Sequence, residues 1–151
     1  MMERRELLTL FGAGAAGLMV AGTTRADDEK DGKDKEKHHA HMKVMGECAL
    51  ICNMVSAHCL KELAKQEGEH SELHAEIACA TNDCQTFCVQ AVTLMARHSK
   101  MAPHAHHACA DACRDCAAVC EKSQDEKIKK CAEICRECER LCREACEKSA
   151  A

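Results

Sequence analysis

Fifteen cysteines stand in a chain of 151 residues, and most of them recur at helical spacing. Cys109, Cys113, Cys116 and Cys120 form one run, and Cys131, Cys135, Cys138 and Cys142 repeat it before Cys146 adds one further turn. Upstream, Cys48, Cys52 and Cys59 keep the same offsets, with Val55 in the missing place, and Cys84 and Cys88 continue the theme. At about 100° per residue, the last five cysteines fall within an arc of about 80° and the four before them within about 60°. Lys129, Glu133, Arg136, Glu137, Arg140 and Glu144 lie away from that arc. Cys79 sits about 140° from the Cys84/Cys88 line and is the least regular member of the set.

Thiols aligned on helix faces can pack as small hydrophobes, pair as disulfides, or ionise and hold soft metal ions. Packing accounts for one or two cysteines rather than for fourteen on four faces. Disulfides could staple antiparallel helices, but fifteen is odd and a continuous stripe exceeds what stapling requires. Iron–sulfur clusters draw their cysteines from loops such as C-x2-C-x2-C-x3-C-P, whereas Cys113, Cys116 and Cys120 lie within a helical run. One structural zinc takes four ligands and would leave eleven cysteines unused. Cu(I) accepts two or three thiolates, and sulfurs at i and i+4 can clamp one ion. The CxxxC pairs are Cys48/Cys52, Cys84/Cys88, Cys109/Cys113, Cys116/Cys120, Cys131/Cys135, Cys138/Cys142 and Cys142/Cys146. Many bare thiolates in one narrow core repel each other and carry a large desolvation cost. One monovalent ion per thiolate cancels that charge, so the pattern favours many Cu(I) ions per chain. A disulfide-stapled scaffold and a general thiolate buffer for other soft metals are the alternatives.

The elements that present these thiols are helices. One Pro and seven Gly leave too few turn-formers for an all-β fold. Three breaks divide the chain: Gly68, which suits a helix end; Pro103, which suits a first helical turn; and Ser123-Gln124-Asp125-Glu126, a capping-box pattern. The expected class is all-α, an antiparallel up-down-up-down four-helix bundle with helices over about 40–66, 70–99, 103–122 and 125–148. From Asp27 onward, Leu, Ile, Val and Phe number only 16, a fraction normally associated with disorder. A cysteine-lined core supplies what hydrocarbon does not.

Residues 1–26 read as an export signal. Arg4-Arg5 precedes the apolar run Leu7–Gly22 and the small-residue site Thr24-Arg25-Ala26, and the run is short for a membrane span. The arginine pair resembles a twin-arginine signal, so cleavage near Ala26 and a periplasmic destination are expected. Residues 27–39, beginning DDEKDGKDKEK, are expected to be a disordered charged tether. A formal net charge of −4 offers no basic surface for nucleic acid.

In an up-down-up-down bundle one end collects His38, His39, His41, Met42 and Met45, then Met95, His98 and Met101, then His104, His106 and His107. Imidazole and thioether are weaker copper ligands than thiolate, so this end reads as a mouth that captures the metal and passes it inward. His58, beside Cys59, has no assigned role.

The doubled C-x3-C-x2-C-x3-C arrangement, the upstream CxxxC pairs and the Met/His end resemble the bacterial copper-storage protein family over about residues 42–148. The resemblance implies a non-enzymatic bundle that holds many Cu(I) ions, opens at a Met/His end and assembles as a homo-tetramer. It places the paired cysteines and Cys59 in the core, with Met42, Met45 and His104 at the mouth. His41, Met95, His98 and Met101 are secondary candidates there, and Cys79 falls in no pair. Expected partners are Cu(I) ions, further copies of the chain, and a copper chaperone or copper enzyme. CxxC redox catalysis at Cys113/Cys116 or Cys135/Cys138 is the enzymatic alternative, although no βαβ pattern accompanies those motifs.

Overall fold

The computed structural model describes residues 25–65 and 71–150, so the export-type segment up to residue 24 and the break at Gly68 lie outside the described residues. Four helices follow in order: α1 (Arg25–Ala64), α2 (Ser71–Ala96), α3 (Ala102–Cys120) and α4 (Glu126–Ala150). Among the described residues there is no strand, and no helix is long and apolar enough to cross a membrane.

The first difference from expectation is at the start of α1, which runs for 40 residues and includes the charged stretch expected to be a tether. Lys and Glu are strong helix formers, and a helix already nucleated downstream extends without a second nucleation cost. Gly32–Lys37 are exposed. That part of α1 therefore buries nothing, as its composition requires.

Neighbouring helices run in opposite directions. Between α1 and α2, Ser56 Oγ donates to the Ala78 carbonyl at 3.3 Å while His38 stacks on His98 at 5.2 Å. Between α2 and α3, Cys84 meets Cys113 and Cys88 meets Cys109. The α3–α4 pairs are Cys116–Cys135 and Cys109–Cys138, and the α1–α4 pairs are Cys52–Cys131 and Cys48–Cys135. In every case numbers fall on one helix as they rise on the other, and α1 closes the ring against α4.

The inward seam is sulfur flanked by alanine. Cys48, Cys52 and Cys59 line α1, Cys84 and Cys88 line α2, and the cysteine runs of α3 and α4 face them, with Ala110, Ala117 and Ala132 beside them. The fully buried side chains larger than cysteine are Met45 on α1, Ile77 and Thr81 near the start of α2, and Ile128 near the start of α4. Thr81 takes a seam position on α2, and its hydroxyl is satisfied by donating to the Ile77 carbonyl at 2.7 Å.

The helix ends also depart from the expected boundaries. At α4 the side-chain cap is Asp125, whose Oδ1 accepts the Lys127 N–H at 2.7 Å, while Ser123 Oγ accepts the Asp125 N–H. The acidic side chain nearest the helix start wins because it reaches the free amides of the first turn. At α2 the helix stops at Ala96, because His98 adopts a left-handed conformation with φ of 51°. The His98 N–H then reaches the Met95 carbonyl and the Ser99 N–H reaches the Leu94 carbonyl, the pair of bonds that closes a Schellman end. Pro103 stands in the first turn of α3, where its missing N–H costs nothing.

A non-glycine residue at positive φ stores strain of about 1 kcal/mol. His98→Gly is therefore expected to raise the stability of the metal-free protein by about 0.5–1 kcal/mol in urea denaturation. A fall in stability would show instead that the stack on His38 outweighs the strain.

Candidate metal centre

Twelve sulfurs, from Cys142 at one end to Cys120 and Cys131 at the other, form one connected network along the bundle axis. Cys135 Sγ lies 3.7 Å from Cys48, 3.6 Å from Cys52, 3.8 Å from Cys84 and 3.7 Å from Cys116. Cys88 lies 3.6 Å from Cys109, 3.7 Å from Cys113 and 3.9 Å from Cys138. Within single helices, the CxxxC partners Cys84/Cys88, Cys109/Cys113 and Cys116/Cys120 are each 4.0 Å apart. All fifteen cysteines are unpaired thiols. A sulfur with several nearly equidistant neighbours has no unique disulfide partner. With metal–sulfur bonds of about 2.3 Å, two sulfurs sharing one ion stand about 3.8–4.6 Å apart as the angle opens from tetrahedral to linear. The present gaps lie at the short end of that range, and small side-chain rotations convert the thiols into ligands.

Four groups have ligand atoms within 4.8 Å of one another: Cys48/Cys88/Cys113/Cys138, Cys48/Cys52/Cys84/Cys135, Cys52/Cys116/Cys131/Cys135 and Cys109/Cys138/Cys142. Cys48, Cys52, Cys135 and Cys138 each belong to two of them. Shared corners make the groups one polynuclear array rather than four closed sites.

Without metal the array is held by S–H···S contacts. Hydrogen bonding from the Cys113 thiol, first among several such bonds, holds Cys48, Cys84 and Cys109 below the usual thiol range. Cys113 itself is pushed up, chiefly through Cys109. Burial opposes a bare thiolate at each of these positions. At the start-of-α4 end, burial pushes the Cys59 thiol up to about 11, with the Asp125 charge adding to it.

At the other end the array meets imidazole. His41 Nε2 lies 3.5 Å from Cys142 Sγ, and the His41 ring packs against His106 at 5.2 Å. Both rings are almost fully buried, and His106 Nε2 has no hydrogen-bond partner. Burial, then the His106 ring, lowers His41 to about 4, and burial lowers His106 as well. Neutral imidazole with a free nitrogen is the metal-binding form. These rings, with His38, His98 and Met95, line a cavity of about 850 Å³ that extends toward Glu137, Arg140 and Glu144 of α4.

A helical bundle whose core is a shared-corner thiol array with an imidazole-lined cavity at one end fits few functions. The family profile described as copper storage protein matches residues 34–147. The chain belongs to the copper storage protein family. No curated protein and no solved structure gives a significant match. Storage of copper by clustered cysteines therefore follows from the family together with the buried array.

As a member of this family, the chain places its sequence-chosen residues unevenly. Fourteen cysteines, Cys48 through Cys146 without Cys79, are buried, and Cys79 is exposed. Met45, Met95 and His41 are buried at the cavity end, and Met42 is half-buried against the core. His98 is exposed but stacked on His38. His104 and Met101 are exposed and are not among the cavity residues. His106, rather than His104, lines the cavity and packs on His41. The signal was present in the spacing, because His106 lies three residues before Cys109 on the cysteine line whereas His104 lies about 140° from it. His41 extends the α1 line in the same way, seven residues before Cys48.

The depressed His41 value makes stability depend on pH. The unfolded imidazole takes a proton near pH 6.5 while the folded one resists it until about pH 4, so folding is weakened as pH falls through that window. Metal-free protein is expected to lose about 1–2 kcal/mol from this group between pH 7 and pH 5. Denaturation at both pH values checks this, with His41→Leu removing that part of the slope.

Proposed function

We propose that the stored species is Cu(I), held at about one ion per core cysteine and loaded through the His41/His106 end. The observation that carries this reading is the unbroken sulfur path from the His41–Cys142 contact, through Cys138 and Cys109 to Cys88, Cys113, Cys84, Cys48 and Cys135, and on to Cys52, Cys131 and Cys116. Each arriving ion replaces a thiol proton, giving Cys–S–Cu and a released proton, so the core stays neutral as it fills. Because neighbouring groups share sulfurs, an ion moves along the path by gaining one thiolate before leaving another. Divalent ions at that density would leave a strongly positive core, which buried surroundings penalise. Thiolate selects soft metals, and His and Met ligands at the mouth bind Cu(I) more weakly than the interior. That gradient favours inward movement.

Function is complete when the ion is held, so the role is sequestration rather than catalysis. A copper chaperone or copper enzyme that exchanges metal with the core docks at the imidazole end. The exposed Leu50, Met54 and Leu60 of α1, more than half accessible, support assembly into a homo-oligomer through that helix. The Arg4-Arg5 leader supports export to the periplasm.

Titration of reduced protein with Cu(I) against a competing chelator is expected to saturate near the cysteine count and to release about one proton per ion. A plateau at one or two ions would reject storage in this form. The combined variant Cys113→Ala, Cys116→Ala, Cys120→Ala is expected to keep its helicity by circular dichroism while losing about three or more ions of capacity. Unfolding of that variant would assign the thiols a structural role.

A further inference from the structure

Two of the fourteen buried cysteines stand outside the twelve-sulfur network, one beyond each end of it. Cys59 lies at the start-of-α4 end, sealed from solvent beside the Asp125 charge. Cys146 lies at the cavity end and differs from every other core thiol. It is 8% exposed, whereas the other thirteen buried cysteines are fully buried. Its thiol donates to the Pro103 carbonyl at 3.8 Å rather than to a sulfur. It follows Cys142, the last sulfur of the network, by one helical turn, so the two share a face of α4. Cys146 interacts electrostatically with both Cys142 and Cys109, which places it next in line to the array.

The surroundings of Cys146 are those of a passage. Pro103, which anchors its thiol, and Ala145, its chain neighbour, both line the cavity of about 850 Å³. His106 lines the same cavity from the turn of α3 that follows Pro103. That ring is 5% exposed, and its Nε2 has no hydrogen-bond partner. A buried polar atom left in this way carries a cost that an occupant of the cavity removes.

Ligand strength decides which side chain takes an arriving ion. Copper that comes bound to a thiolate leaves it only for a ligand of comparable softness, and imidazole binds Cu(I) more weakly. His41 and His106 therefore do not strip a thiolate donor by themselves. Cys142 is soft enough but fully buried. Cys146 combines thiol chemistry with open surface at that end.

We propose that Cys146 is the exchange thiol of the bundle, taking Cu(I) from a thiolate-bearing donor and handing it to Cys142. The proposal rests on the Cu(I)-storage reading above. In the first step the Cys146 sulfur bonds to the ion as the donor sulfur leaves, and the Cys146 proton passes to the departing thiolate. In the second, the Cys142 sulfur bonds to the ion and its proton returns to Cys146. No electron moves, the net charge is unchanged in each step, and Cys146 is restored for the next ion. The same steps in reverse release copper to a thiol acceptor.

The test compares Cys146→Ser with Cys59→Ala, both in a Cys79→Ser background so that the exposed thiol does not compete. Each reduced protein is loaded from the Cu(I) complex of N-acetylcysteine and, separately, from Cu(I) in acetonitrile. Stopped-flow luminescence of solvent-shielded Cu(I)–thiolate follows the rate, and titration against a chelator gives the capacity. Both variants are expected to lose about one ion of capacity or less. Cys146→Ser alone is expected to load about tenfold or more slowly from the thiolate donor, with loading from the nitrile donor slowed less than about threefold. Equal rates for the two variants with the thiolate donor would overturn the proposal. Equal slowing of Cys146→Ser with both donors would also overturn it and leave Cys146 a structural part of the cavity wall. A plateau of one or two ions in the parent would instead reject storage itself.

Discussion

A narrow interior of sulfur cannot hold uncompensated charge. That constraint connects composition, fold and function in this chain. The seam positions where Leu would normally interlock are occupied by cysteines on all four helices, and twelve of the buried sulfurs lie within reach of others. As neutral thiols they pack and exchange weak hydrogen bonds; as thiolates they require cations in nearly equal number. The same side chains are therefore both the core and the site. Metal binding to such a chain is coupled to folding stability, because the unfolded state has no comparable array.

The two ends of the seam differ in kind. The starts of α2 and α4 contribute Ile77 and Ile128, hydrocarbon that closes the array from below. The opposite end is closed by Met45 and Met95 and by imidazoles kept neutral by burial. His98 accepts a strained backbone there, and its ring stacks over His38 beside the cavity. The polar group around His58 caps the hydrocarbon end from outside.

Much of this was legible in the residues. The +4, +3, +4 rhythm alone turned fourteen cysteines inward and left Cys79 off their line, its side unassigned, because helical periodicity is local and survives packing. Pro103 marked a first turn for the same local reason. The charged stretch before His38 continues α1 while staying exposed, since composition reports burial while helix extension depends on the neighbouring nucleated segment. Met101 and His104 were grouped with the mouth by their place in the chain, although the phase of the cysteine line already favoured His106. His58 could not be read at all, because its partners Asp125 and His74 are 67 and 16 residues away.

By itself the sequence determined which side chains face inward on each helix and that their chemistry is soft, because face and ligand type are properties of one segment. Tertiary structure decided which sulfurs meet, that four of them serve two groups at once, and which imidazoles reach the array. Those outcomes depend on the relative register of helices packed side by side, and no spacing within one helix encodes the offset to its neighbour.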